Sequence, residues 1–414
     1  MEIKKFVGLL TVLLGIRTEA QLQKVYMSPP PHIGTAVCTV NDYPYKYPIA
    51  ELNEYVFISF DDLEGDQKNY YYRIRRFDQN WNPSPLFPSE YIDGYDSDYI
   101  EGEQNSQATI QSYTRYFFRL PNANTRITKS GNYLIEILDE DEEPVFNFPL
   151  IIYENRVPVS VAVQRALDPA KLRTHQYVHA ILDISSFPIA DPSSDLTVQI
   201  LRNENPFDPV SFHAPAFYAG NKLDYHFPQQ ALFEGGDEFL HFETRDLRGY
   251  NAGTDSLRLR ELYHAYLTPW RPVAYYRALK DIDGSFVVAS LQGRDAHTES
   301  DYVRVHFRLP ADVVPPDKPI YVTGRFNHWR PSGIHRLRLT EDGKFYETSL
   351  LLKQGYYDYY YVGKNGDGSI DWTAVWPSFA ETENRYTVLV YYHPPGARHI
   401  RIIGMGQGVS RPLK

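Results

Sequence analysis

The stretch "YVRVHFRLP" (residues 302–310) sets the class of the fold. Val303, Val305, Phe307 and Leu309 point one way along it, and Arg304, His306 and Arg308 the other. That is the period-two pattern of a strand with one buried face. The same alternation continues downstream in "KFYETSLLL" (344–352), "YYDYYYVG" (356–363) and "RYTVLVYYH" (385–393). Upstream, "EYVFISF" (54–60) and "YYYRIRRF" (70–77) flank an acidic, glycine-bearing turn, which is a hairpin pattern. "YTRYFFRL" (113–120) stops at Pro121, and "GNYLIEILD" (131–139) and "PVFNFPLIIY" (144–153) flank "EDEE", a solvated tip. A second block of alternation runs through "VPVSVAVQ" (157–164), "HQYVHAILDI" (175–184), "DLTVQILRN" (195–203), "NKLDYHF" (221–227) and "DEFLHFETRDL" (237–247). Helical periodicity is almost missing.

The expected fold is therefore all-β, with immunoglobulin-like β-sandwich modules in series and little helix. The expected divisions are 21–154, 155–262 and 301–414, with 263–300 as a connector. "ELYHAYLTPWRPVAYY" (261–276) within or beside that connector is the expected place for a short helix, and "SFVVASLQ" (285–292) suits either neighbour. Each module is long enough to bury its own core.

The chain of 414 residues carries a net charge of −10, which argues against nucleic acid and against anionic lipid as partners. Tyrosine is abundant, at 34 residues, and suits strands and interfaces because the ring buries while the hydroxyl stays wet. Cys38 is the sole cysteine, so no intrachain disulfide forms. Lys4 and Lys5, the apolar run "FVGLLTVLLGI" (6–16), and small residues at Thr18 and Ala20 read as a signal peptide over 1–20, cut before Gln21. That run is too short to span a bilayer, so the expectation is an exported, soluble protein.

No HExxH, GxSxG, glycine-rich phosphate loop or Cys–His cluster is present, and the expectation is no enzyme and no cofactor. His175 and His179 are four apart, but on a strand that separates them by ~13 Å, too far to share a metal. "NGDGSID" (365–371) offers oxygens at Asn365, Asp367, Ser369 and Asp371. It lacks the distant Glu and helical flanks of an EF-hand, so a glycine-rich turn is favoured over a calcium loop. "DIDGSF" (281–286) is a plain turn signal.

"YVTGRFNHWR" (321–330) sets Phe326 and Trp329 around Asn327, after Gly324. Two readings stay open: a sugar platform, with Trp372 and Trp376 as further stacking rings, or filling of the sandwich end. Asn327 suits closing a turn with its side chain. Residues 302–392 resemble the early-set immunoglobulin-like modules that flank glycogen- and starch-active enzymes. The resemblance lies in Gly324, Arg325, Phe326, Asn327, His328 and Trp329, in the strand from Tyr357 to Gly363, and in Asn384. In those modules this signature is largely fold-defining.

Four longer strings are more specific: "SFDDLEGDQKNYYYRIRRFDQNW" (59–81), "LFPSEYIDGY" (86–95), "KSGNYLIEILD" (129–139) and "ETENRYTVLVYYHPPGARHIRIIG" (381–404). They resemble, in order along the mature chain, the type IX secretion system plug proteins of Bacteroidota. The resemblance implies a periplasmic β-protein, monomeric when free, that binds the periplasmic mouth of a large outer-membrane translocon barrel and seals it when no substrate is present. It carries over no catalytic or ligand residue. The competing reading is an exported glycan-binding protein that uses its C-terminal module. The tyrosine clusters 70–72, 91–99 and 356–361 are candidate contact patches, with ordinary sheet packing as the favoured alternative.

Overall fold

A computed structural model describes residues 22–41, 48–249 and 251–410. The expected signal segment 1–20 and its cut site lie outside the described residues. The chain is all-β, and its sheets pair off into three sandwiches.

In the first sandwich, strands Ile33–Val40, Val56–Asp62, Thr114–Leu120 and Gly102–Asn105 form one sheet. Strands Ile49–Glu51, Pro144–Tyr153, Gly131–Leu138, Tyr71–Phe77 and Ser97–Tyr99 form the other. Ile58, Phe60, Tyr72, Tyr116, Ile135, Ile137 and Phe146 fill the space between them. Strand Gly131–Leu138 is buried along its whole length, which simple alternation does not lead one to expect. Its inner face feeds this core. Leu134 on its outer face joins a second apolar cluster with Phe77, Ile151, Leu389, Tyr391 and Ile402, which belong to two different units.

The second sandwich explains that cluster. One sheet holds Val159–Arg165, His175–Asp183, Lys222–Tyr225 and Phe217–Ala219. The other holds Val210–Phe212 and Leu196–Arg202, and is completed by Arg385–Tyr392 and Arg401–Val409 from the end of the chain. Leu196–Arg202 pairs with Arg385–Tyr392 in antiparallel register, Val198 opposite Val390.

The third sandwich is built from the chain between these two visits. Its long strand Gly355–Lys364 pairs with Leu240–Glu243, Phe286–Val288 and Ile320–Thr323. The opposing sheet runs Thr254–Leu259, Tyr263–Leu267, Tyr302–Pro310, Phe345–Lys353 and Arg338–Leu339. Val303, Val305, Phe307 and Leu309 all face its core, with Phe242, Tyr357, Tyr359 and Tyr361 opposite.

The sheets therefore do not follow a linear division at 155–262, 263–300 and 301–414. The third unit is inserted into the second, and the last two strands return to the middle sheet. The stretch 263–300 is also more than a connector. Tyr263–Leu267 pairs parallel to Tyr302–Pro310, and Phe286–Val288 joins the C-terminal unit. The short helix expected at 261–276 is instead one turn at Ala296–Glu299, capped by Asp295. Pairing across some 190 residues leaves no trace in local alternation, and β-branched and aromatic runs such as 263–267 satisfy a strand whichever partner they meet.

All three units touch. Tyr391 donates to Asn132 Oδ1 at 3.0 Å between the first and second units. Lys353 Nζ pairs with Asp61 at 2.7 Å between the first and third, with both side chains almost wholly buried. Gln176 Nε2 donates to the carbonyls of Ala380 and Thr382 at the seam of the second and third.

Candidate functional site

The turn after strand Ile320–Thr323 is built by its own side chains. Asn327 Oδ1 accepts from Thr323 Oγ1 at 3.0 Å and from the Gly324 amide at 3.1 Å, and Asn327 Nδ2 donates to the Val322 carbonyl. Gly324 has an extended backbone that any residue adopts. Its requirement is room, since a Cβ there would lie 2.6 Å from the Phe326 ring and 2.8 Å from the Asp358 carbonyl. The chain then turns through left-handed His328 and Trp329, at φ 54° and 60°.

These two residues face different neighbours. His328 Nε2 meets the Ala36 carbonyl at 3.1 Å, and its ring packs against Phe148 and Tyr26. Tyr26 in turn meets Phe207 edge-on. His328 thus sits where all three units converge, and burial pushes its pKa down to about 4, so the ring is neutral. In the sequence His328 stands only as a signature position, and nothing in its local pattern reveals this role.

Trp329 turns the other way, into the C-terminal core against Phe239, with ring centroids 5.6 Å apart. Its edge lines a cleft of about 920 Å³ between the second and third units. Trp372 lines the same cleft, half-buried, with the Arg202 guanidinium 5.3 Å above its ring. Asn365, Asp371, Asn384, Asp237 and His175 also line it. Sequence-selected residues from 329, 365, 371, 372 and 384 therefore meet in one place, together with Arg202, Asp237 and His175 from the other side.

Trp376 is not part of that opening. Its indole donates to the Tyr361 carbonyl at 2.6 Å, and its ring stacks on Tyr360 at 4.0 Å and lies 3.9 Å from Trp270. It anchors the loop to the sheet. The carboxylates of "NGDGSID" are engaged within the chain. Asp367 accepts from the Ser369 amide and hydroxyl, while Asp371 pairs with Lys318 and accepts from Thr373. Asn384 is buried at the seam, donating to the Gly235 carbonyl at 2.8 Å and accepting from Asn203.

In and behind the cleft wall lies a group of buried and half-buried acids that the plain turn "DIDGSF" did not announce. Burial raises Asp358 to about 8, with Asp281 adding to it, and raises Asp237 and Asp281 to about 6 and Glu238 to about 7. Asp358 receives the Ile282 and Gly284 amides of that turn, and Tyr276 donates to Glu238. The tyrosine clusters divide. Tyr70, Tyr72, Tyr91, Tyr357 and Tyr359–Tyr361 are buried in cores, while Tyr95 and Tyr99 reach solvent.

Residues 33–154, which span the first sandwich, match the family model of the type 9 secretion system plug protein 1st domain. The first sandwich is similar to the first domain of plug proteins. A crystal structure of a hypothetical protein from Parabacteroides merdae ATCC 43184 is similar over 93% of this chain and 98% of its own, at 26% identity and a TM-score of 0.88. The three-unit arrangement, with its inserted third sandwich, is thus shared by a solved protein. The native conformation of Escherichia coli alpha-2-macroglobulin aligns at 10% identity over 97% of this chain and 28% of its own, with a TM-score of 0.19, too low to carry an argument. No curated protein matches the chain. No helix among the described residues is long and apolar enough to cross a membrane.

Proposed function

We propose that this chain is an exported, non-enzymatic plug that binds the periplasmic mouth of the type IX translocon barrel and seals it between substrates. The observation that carries the reading is the plug first domain at 33–154. The packing of the three units supports it. A barrel wide enough for folded cargo leaks unless a body of matching size stands in its mouth, and a body that bends at linkers seals poorly. Here the linkers are replaced by a buried ion pair, an apolar cluster shared by two units, and His328 wedged among three. Release has to be possible, which favours a polar-rimmed surface with a few aromatic anchors. Phe87 and Tyr95 on the first unit and Phe217 and Tyr218 on the second are large, exposed rings available for that contact.

The test is affinity capture of the chain from detergent-solubilised envelopes. A very large outer-membrane barrel in near-equal amount supports the plug, and deletion should make the envelope leak small solutes. Elution of the chain alone removes the reading.

The cleft favours one second reading. An arginine over a half-exposed indole, with Asn365, Asp371 and Asp237 nearby, suits a polar ligand such as a glycan. Titration with α-glucans, with Trp372→Ala as control, decides it: saturable binding lost in the variant supports a glycan site, and no binding ends it.

A further inference from the structure

The outer face of the second sandwich carries a cluster that neither the plug reading nor the cleft uses. Strands His175–Asp183 and Lys222–Tyr225 run antiparallel with Ala180 opposite Tyr225 and Ile181 opposite Asp224. Extending that register sets His179 across from His226 and diagonal to Asp224. Asp224 and His226 are two apart and so share a face. One nitrogen from each histidine and one Asp224 oxygen lie within 4.8 Å of one another, and all three side chains are half-buried. We propose that His179, Asp224 and His226 form a binding site for one divalent transition-metal ion of the zinc class.

The donor set argues for that class. Two imidazoles and one carboxylate suit zinc, cobalt, nickel or copper, whereas calcium and magnesium prefer all-oxygen cages. Three protein ligands with one side open leave a position for water. His179 Nε2 already sits 2.7 Å from Asp224 Oδ1. With metal–ligand bonds of about 2.0–2.2 Å, tetrahedral ligands stand about 3.3 Å apart. The pair therefore has to part by only about half an ångström to admit the ion. In doing so His179 gives up its Nε2–H hydrogen bond, the proton passes from Nε2 to Nδ1 by tautomeric exchange through water, and the Nε2 lone pair turns to the metal. The surroundings are preset. The His179 and His226 rings stand edge to face with centroids 5.0 Å apart, and Tyr177 packs against both. The Tyr177 hydroxyl is buried with no hydrogen-bond partner among the described residues, a polar atom unspent beside the cluster.

The contrast with Asp62, Glu64 and Asp66 is instructive. Their carboxylates also lie close together, but the Lys68 ammonium already bridges them, at 2.9 Å from Asp62 and 3.5 Å from Asp66. No cation is needed there. Among the described residues, the ion pair at His179 is with Asp224, and no lysine or arginine joins it.

The proposal rests on the middle sandwich alone and is independent of what the whole chain seals or binds. The experiment uses the untagged, chelator-stripped full chain. Cobalt(II) is added and its visible ligand-field bands are followed, then zinc(II) is added to displace it, with metal content counted by elemental analysis. The expected result is one saturable ion per chain, four-coordinate by its bands, displaced by zinc and untouched by excess calcium or magnesium. His226→Ala and Asp224→Asn should each weaken cobalt binding at least about tenfold, since even the partners of metal ligands are worth 10–100-fold. Circular dichroism checks that these variants fold, and His226→Gln serves as a size-matched replacement if Ala does not. Absence of saturable binding overturns the site, as does binding that survives both His179→Ala and His226→Gln, or binding for which calcium competes.

Discussion

Removing Asp61 should uncouple the first and third units at a calculable cost. Asp61 Oδ2 accepts from Lys353 Nζ and from the Tyr302 hydroxyl, each at 2.7 Å. Both charged side chains are almost wholly inaccessible, at 2% and 1%. Asp61→Ala strands an ammonium left with the His297 carbonyl and with the Tyr113 and Tyr302 rings, 3.9 Å and 5.9 Å from its nitrogen. An uncompensated buried charge costs about 3–5 kcal/mol. Tyr302 retains Thr35, at 2.6 Å, so it adds little. With a urea m-value of about 1–3 kcal/mol/M for one unit, a loss of about 4 kcal/mol moves the midpoint down by about 1.3–4 M. Tryptophan fluorescence reads the affected unit well, because Trp270, Trp329, Trp372 and Trp376 all pack in the third sandwich and only Trp81 lies in the first. The paired change Asp61→Leu with Lys353→Met should recover most of the loss, since apolar replacement of a whole buried pair is often neutral. A single variant that unfolds within about 0.5 M of the parent, or a double variant no better than the single, would refute the claim that this pair locks the two units.

Three further outcomes follow from the same packing. Asp358, Glu238, Asp281 and Asp237 hold protons in the folded state at pH values where the unfolded chain has lost them. Their contribution is therefore full below about pH 4 and is lost as pH rises through about 6–8, so thermal midpoints should fall from pH 5 to pH 8. Asp358→Asn should flatten that slope, and an unchanged slope counts against the buried-acid account. Asn384→Ala removes bonds to Gly235, Gln176 and Asn203 at the seam and should cost about 2–3 kcal/mol in urea unfolding, whereas a near-neutral result means the seam is not held there. Gly324→Ala should cost about 1–3 kcal/mol from crowding against Phe326 and the Asp358 carbonyl, although its backbone angles suit alanine. A stabilised variant would show that the turn gives way.

The strands were legible because alternation is local. Val303, Val305, Phe307 and Leu309 lie on the buried face that their spacing requires, and Asn327 closes the turn that its type favours. The partners of those strands were not legible. Nothing in "RYTVLVYYH" says that it completes a sheet begun at Leu196, because backbone pairing is blind to side-chain identity and long insertions are tolerated at small entropic cost. The same limit hid the sites. Trp329 and Trp372 were visible as aromatic rings, but the Arg202 that faces Trp372 comes from the other unit. His179 was visible too, paired in sequence with His175, its neighbour along one strand. The chemistry lies across strands, with His226, where linear spacing carries no signal.

The insertion also bears on how the chain would work as a plug. If the sandwiches were beads on a string, the first could dock while the others swung free. Instead, the sheet of the second unit is completed by residues 385–409, which follow the third unit along the chain. The third unit is then held against the first by Asp61 and His328, and the second against the first by Leu134, Tyr391 and Ile402. A force on any one unit is thereby shared by two interfaces. Loosening one of them, as Asp61→Ala does, should weaken sealing before it weakens binding, because a body with one free corner can still touch the rim while leaving a gap. Solute leak with the variant still captured on the barrel is the outcome that this coupling requires. Leak and capture lost together would mean that the first domain's own contact surface, and not the locking of the three units, makes the seal.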